Sequence, residues 1–301
     1  MKRLLIALVA ILSAARPLLA WGEAGHTITN TAATFGLPND MPPFFYAAFP
    51  DLVYLASDPD RWRSGGDSIE GASTPDHFLD SEYAAGLPLP RDRYKFVALL
   101  ESSGRLRQYG ISNSTVGFLP WRVAELCERL TVLWRNWRSA PAGSPDRRYI
   151  EHDIVTVAGL LGHYVGDSAQ PLHTTWNFNG WGEENPNHYR NDCDLHSRFE
   201  SSYVTRAMTL DDVVPLLAPP ALRTDYFTTA IDFVKHSNSL TETLYRLDRD
   251  YAFDELHPIT TEGKAFTAER LAAGASMLRD LWWSTWRNSA RPAPKRNVTQ
   301  N

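Results

Sequence analysis

The chain has 301 residues, 43% of them hydrophobic, and a formal net charge of -5 at neutral pH. It reads as an ordinary globular protein, long enough to bury one large core or two modest ones. The acidic balance excludes a generally basic surface, so any attraction for nucleic acid must come from a site rather than a coat.

Residues 1–20 stand apart. Met1-Lys2-Arg3 is basic, Leu4 to Leu12 is apolar, and the segment ends in Leu18-Leu19-Ala20. That is the layout of a secretory signal peptide, with a buried first helix as the alternative. Cleavage would leave a mature chain starting at Trp21, secreted or periplasmic. No later stretch is apolar over the ~20 residues that a membrane span needs.

From Trp21 onward the pattern is mostly helical in period. The clearest helices are expected at 91–109, 120–138, 149–168, 228–248 and 267–286. In the second, Val123, Leu126, Leu130, Trp134 and Trp137 recur at three- and four-residue steps and form one apolar stripe. Ser144-Pro145-Asp146 resembles a cap leading into the third. Strand-like alternation is scarce, and long loops are expected at 59–75 and 177–195. The expected fold is all-α, a single helical domain over 21–288 with long loops around a metal cleft, followed by a mobile tail at 289–301. The two cysteines, Cys127 and Cys193, could pair in an oxidising compartment or stay as free thiols.

Five of the nine histidines sit in contexts that suit metal ligation. His163 and Asp167 are four apart inside the third expected helix, so they project from one face. Pro171 then stops the helix and lets His173 fold back beside that face. His196 and Glu200 repeat the four-residue spacing. Two such pairs offer imidazole nitrogen and carboxylate oxygen without thiolate, a zinc-type donor set. His77 lies in Asp76-His77-Phe78-Leu79-Asp80, downstream of Asp58-Pro59-Asp60-Arg61-Trp62-Arg63, and His26 lies five residues after Trp21. Taken singly, each of these could be a surface ion pair, a capped turn or an exposed histidine.

In combination they resemble a known family. Trp21-Gly22-x-x-Gly25-His26, Asp60-x-x-Arg63, His77-Phe78-x-Asp80, His163-x-x-x-Asp167, Gln170-Pro171-Leu172-His173 and His196-Ser197-x-x-Glu200 follow the order seen in the zinc-dependent phospholipase C / P1 nuclease superfamily. The resemblance covers residues 21–200. It implies an all-helical fold holding three zinc ions. Trp21, through its free α-amine and carbonyl, would bind one ion with His26. Asp167 would bridge to a second, held also by Asp60, His77 and His163. His173, His196 and Glu200 would hold the third. Asp58 competes with Asp60, since it too is followed three residues later by an arginine. Arg63 would offer a planar fork to the phosphate, and Asp60 and Arg63 would carry the catalytic roles.

The same resemblance implies a monomeric phosphodiesterase but leaves the substrate open. The short step from Trp21 to His26 and the long insertion before His196 resemble the nuclease branch. There Phe78 would stack on a base of single-stranded nucleic acid and Asp80 would read its edge. Glu200 instead resembles the phospholipase branch, with phospholipid as substrate. The segment Trp176-Asn177-Phe178-Asn179-Gly180-Trp181 could stack on bases, lie against lipid or only pack the loop. The reading leans to the nuclease. A non-catalytic binding protein pinned by zinc is the alternative of another class.

Overall fold

The computed structural model describes residues 21–182 and 184–292, and these form an all-α fold. Among the described residues, β-structure is limited to the isolated bridge between Leu79 and Gly117. The signal peptide expected at 1–20, and the tail beyond Pro292, lie outside the described residues. No helix among the described residues is long and apolar enough to cross a membrane.

The helices that carry the site and its support are α1 (Glu23–Phe35), α2 (Phe49–Leu55), α3 (Arg93–Ser102), α4 (Leu119–Ser139), α5 (Pro145–Ala169), α6 (Tyr226–Asn238), α7 (Thr241–Arg249) and α8 (Thr261–Asn288). Helix α5 is central: it packs on α1, α2, α4 and α8. Its start is set by Ser144, whose hydroxyl accepts from the Arg147 amide at 3.2 Å, with Pro145 in the first turn. On α4 the expected stripe is buried at Val123, Leu126, Leu130 and Trp134. Trp134 meets Phe45, which in turn meets Trp282 of α8, each pair with ring centroids 5.6 Å apart. Trp282 donates its indole N–H to the Ala158 carbonyl of α5 at 3.0 Å, satisfying its polar end inside the core.

Two expected helices are broken. The one expected at 91–109 ends at Ser102 and resumes at Arg105–Tyr109, because Gly104 takes a left-handed φ of 76°. It also starts later, at Arg93, where the Asp92 carboxylate caps the amides of Tyr94 and Lys95. The one expected at 228–248 divides into α6 and α7 at Ser239-Leu240. There the Ser239 hydroxyl donates to the His236 carbonyl at 2.6 Å, offering the backbone a local alternative to continued helix. The long loop expected at 59–75 is wound into short turns, Asp58–Arg61, Trp62–Gly65 and Asp67–Ser73, with Pro59 in a first turn. Cys127 is a buried free thiol and Cys193 an exposed one.

Close approach to α5 depends on a row of glycines. A Cβ at Gly159 would meet Leu55 of α2, one at Gly162 would sit 2.7 Å from the Cγ of Asn30 on α1, and one at Gly166 would sit 3.0 Å from the His26 Nδ1. Asn30 has no room to retreat, because its amide donates to the Leu52 carbonyl at 2.9 Å and ties α1 to α2. Gly162→Ala should therefore destabilise the protein by about 1–3 kcal/mol through overpacking. Chemical denaturation checks this, and an unchanged midpoint would show that α1 moves away freely.

Candidate metal centre

Seven short elements bring the ionisable residues together. Helix α5 supplies His163 and Asp167, and α1 supplies His26. Asp60 comes from the turn Asp58–Arg61, His77 from the 3-10 turn Thr74–His77 and His173 from the 3-10 turn Pro171–Thr174. His196 lies in the turn Leu195–Ser197, and Glu200 in the π-helical segment Arg198–Tyr203 that follows it. Backbone pairing fixes two of these pieces against each other. The amides of Leu79 and Ser81 donate to the carbonyls of His173 and Thr174 at 2.9 and 3.2 Å, and His173 Nδ1 donates to the His77 carbonyl at 2.7 Å.

Three groups of side chains have ligand atoms close enough to share a metal ion: His26, His163 and Asp167; Asp60, His77 and His163; and His173, His196 and Glu200. All are buried. Asp167 stands between the first two groups, with Oδ1 3.5 Å from His26 Nε2 and Oδ2 3.2 and 3.3 Å from His77 Nδ1 and His163 Nε2. In the third group, Glu200 Oε2 lies 2.8 Å from His196 Nε2 and 3.5 Å from His173 Nε2. Of the two competing aspartates, Asp60 sits by the cluster, 3.8 Å from His77 and 3.9 Å from His163. Asp58 instead pairs with Arg61 at the surface at 2.8 Å.

The donor set fits a cation. His163 Nδ1 must donate to the Ala56 carbonyl at 2.8 Å, because a carbonyl only accepts; in the neutral ring Nε2 is then a lone pair facing inward. His173 is fixed the same way by its bond to the His77 carbonyl. Each of these nitrogens faces a second ring: His163 Nε2 lies 2.9 Å from His77 Nδ1, and His173 Nε2 lies 3.2 Å from His196 Nε2. Buried atoms without a hydrogen-bond partner cluster at the same place, including both ring nitrogens of His26, His77 Nε2, Asp60 Oδ1, Asp167 Oδ1 and Glu200 Oε1. Buried polar atoms are normally paired, and this many unpaired donors of ligand type suit a cation as their common partner. Nitrogen and oxygen donors without thiolate suit zinc.

Without an ion, protons take up that role. Burial opposes charge on Asp167, but His163 and His173 outweigh it and hold the carboxyl well below the usual range. Glu200 is likewise held down by His196 and His173 against its burial. His173 is pushed up to about 9, because Asp167 and Glu200 overcome its desolvation, and His163 is raised for the same kind of reason. Burial lowers His77 to about 3 and His26 well below its ordinary value, so those rings are neutral.

The remaining expected residues lie around this core. The Trp21 ring is buried, donates its indole N–H to the Gly166 carbonyl at 2.7 Å and packs on Phe199 with centroids 5.3 Å apart. This places Trp21 beside the residue that precedes Asp167. Arg63 Nε lies 3.4 Å from Asp60 Oδ1, and Arg63, Phe78 and Asp80 all line a cavity of about 310 Å³ that the rims of His77, His173 and His196 also face. Burial, helped by Glu82, pushes the Asp80 carboxyl up to about 8.

Of the three aromatics in the segment 176–181, it is Phe178 that lines this cavity. Trp181 packs inward against Tyr189 and Tyr245, and Trp176 packs on Tyr83 and Tyr109. Nothing in the local pattern distinguishes the three aromatics. Gln170 is also more than a helix stop: its side chain caps the Leu172 amide at 2.6 Å and donates to Glu200 at 3.3 Å.

No family model matches the chain, and no curated protein matches it. Among solved structures, it is similar to the alpha-toxin of Clostridium perfringens from avian strain SWCP, with a TM-score of 0.41 and 13% identity, covering 89% of this chain and 64% of that one. It is also similar to the alpha toxin of Clostridium absonum, with a TM-score of 0.42 and 13% identity, covering 91% of this chain and 67% of that one. The chain thus spans about two thirds of the length of the toxins it matches.

Metal ligation requires neutral imidazole, whereas His163 and His173 are drawn to their protonated forms in the metal-free protein. Zinc binding at pH 7 should therefore release at least one proton, and affinity should rise with pH up to about 9. Titration calorimetry in two buffers of different ionisation enthalpy measures the release; a buffer-independent heat would contradict these protonation states.

Proposed function

We propose that the mature chain is a zinc-dependent phosphodiesterase of the phospholipase C / P1 nuclease type, exported, and acting on single-stranded nucleic acid. The observation that carries this reading is a set of three buried ligand groups, two of which reach one small aromatic cavity through His77, His173 and His196, with Arg63 also in its wall. A purely structural zinc site is usually closed and single, which speaks against the non-catalytic alternative.

Three ions would be held by Trp21, His26 and Asp167; by Asp60, His77, His163 and Asp167; and by His173, His196 and Glu200. Bound there, they would supply the concentrated positive charge that an anionic phosphodiester needs and would acidify water near neutral pH. Arg63 lies beside Asp60, which orients its guanidinium, and it presents donors to the phosphate oxygens. Asp60 both ligates and holds that fork. The closed packing of Trp21 against Gly166 and Phe199 supports a role for the mature amino terminus, since it fixes the residue at the first ligand group.

The aromatic lining of the cavity supports a base as its occupant. Phe78 and Phe178 supply flat apolar faces, on which a base stacks irrespective of sequence. Asp80 is buried beside them, and its carboxyl oxygens can accept from the N–H groups of a base edge. The phospholipid reading draws on Glu200 and on the exposed Trp176, and is kept as an arm of the test.

The zinc-loaded protein beginning at Trp21 should cleave single-stranded DNA and RNA, lose activity to a chelator and regain it with zinc. Release of phosphocholine alone from phosphatidylcholine vesicles would replace the nuclease by a phospholipase C. Phe78→Ala should weaken substrate binding by about 1–3 kcal/mol, the worth of one stacked base, seen as a raised KM. One extra residue before Trp21 should cost one zinc per chain, and full zinc content in that variant would remove Trp21 from the ligand set.

A further inference from the structure

Helix α7 contributes no ligand, yet one face of it grips the whole segment that carries the third ligand group. The Tyr245 hydroxyl donates to the Asn177 carbonyl at 2.6 Å and accepts from the Gly180 amide at 2.9 Å, so it holds the backbone on both sides of Phe178. Three residues on, and on the same face, Asp248 is fully buried and takes both of its oxygens to Arg198 Nη2, at 3.0 and 3.1 Å. Arg198 stands midway between His196 and Glu200 and is itself buried. Its other terminal nitrogen reaches Asp192 at 3.1 Å.

This grip matters because of the backbone it acts on. His196 and Glu200 span the junction between a single α-turn and a π-helical segment. Such wide turns are rare, short and often found at functional sites, and they depend on surroundings more than an α-helix does. The Arg198 side chain leaves from the first residue of that segment, and its guanidinium is anchored in a different helix. Groups that orient ligands from behind commonly set metal affinity by 10- to 100-fold.

We propose that Asp248, acting through Arg198, is the positioning residue for the His173, His196 and Glu200 metal site, holding the π-helical turn so that His196 and Glu200 converge. This rests on the reading of that group as a metal site. It predicts a loss confined to one ion, because His26, Asp60, His77, His163 and Asp167 are carried by other elements.

The test measures zinc itself, by chelator competition and metal content of the mature full chain. Asp248→Asn should weaken one of three ions by at least tenfold and leave the other two unchanged, and the Co²⁺-substituted variant should lose the visible absorption of one site. Asp248→Asn leaves Arg198 buried against a neutral partner and risks the fold, so a double variant, Arg198→Met with Asp248→Leu, accompanies it. Replacing a buried pair by apolar groups is often neutral or stabilising for folding. The double variant should therefore melt at or above the wild-type temperature and still lose the same ion. Three ions of wild-type affinity in the stable double variant would overturn the positioning role and leave the metal reading intact. No zinc in the wild-type protein would overturn both.

Discussion

Asp167 is the constraint on which the rest of the structure depends. It is a fully buried carboxylate in the middle of the protein, and desolvation alone would force it neutral. It is kept ionised by the charges of His163 and His173 and by hydrogen bonds from His163 and His77, and imidazoles from three separate elements lie within 3.5 Å of its oxygens. One oxygen faces His26 and the other faces His77 and His163, so a single side chain stitches α1, the 3-10 turn before Phe78 and α5 to one point. The close approach of α1 is permitted by Gly162 and Gly166 on α5.

Such a centre is costly to the fold: many of its buried polar atoms have no hydrogen-bond partner, and ring nitrogens of neighbouring imidazoles face one another at hydrogen-bond distance. The surrounding structure therefore over-determines the geometry. His163 and His173 are each fixed through Nδ1 to a backbone carbonyl, and the segments bearing His77 and His173 are zipped by main-chain bonds. Further out, Arg93 and Arg122 hold Asp76, the neighbour of His77, at 2.8 and 3.5 Å. The ionisable groups are thus held in place by contacts that the surrounding backbone itself supplies.

The cavity beside the centre follows a different logic. Its wall is assembled from a turn that leaves the 3-10 segment at His77 and from a loop pinned by Tyr245, with few polar atoms of its own. Flat apolar faces thus stand directly beside a strongly polar cluster of buried ionisable groups.

Much of this could be read from the sequence, and the residues concerned show why. His163 with Asp167, and the amphipathic stripe of α4, are local patterns: helical period alone puts them on one face, whatever the fold. The all-helical class and the cap at Ser144 are equally local. The helix breaks at Gly104 and Ser239 were missed, because one residue between two good helical stretches decides them and periodicity runs across it. Asp58 competes with the preferred Asp60 in the motif, because each is followed three residues later by an arginine; burial against His77 and His163 separates them. That Phe178 rather than Trp176 or Trp181 faces the cavity follows from the path of the loop, which Tyr245 holds at Asn177 and Gly180. The donor types and their order along the chain were thus determined by the sequence itself. Which donors share an ion, which aromatic faces the cavity and how Asp248 reaches Arg198 were decided by tertiary structure, because each depends on contacts between segments tens of residues apart.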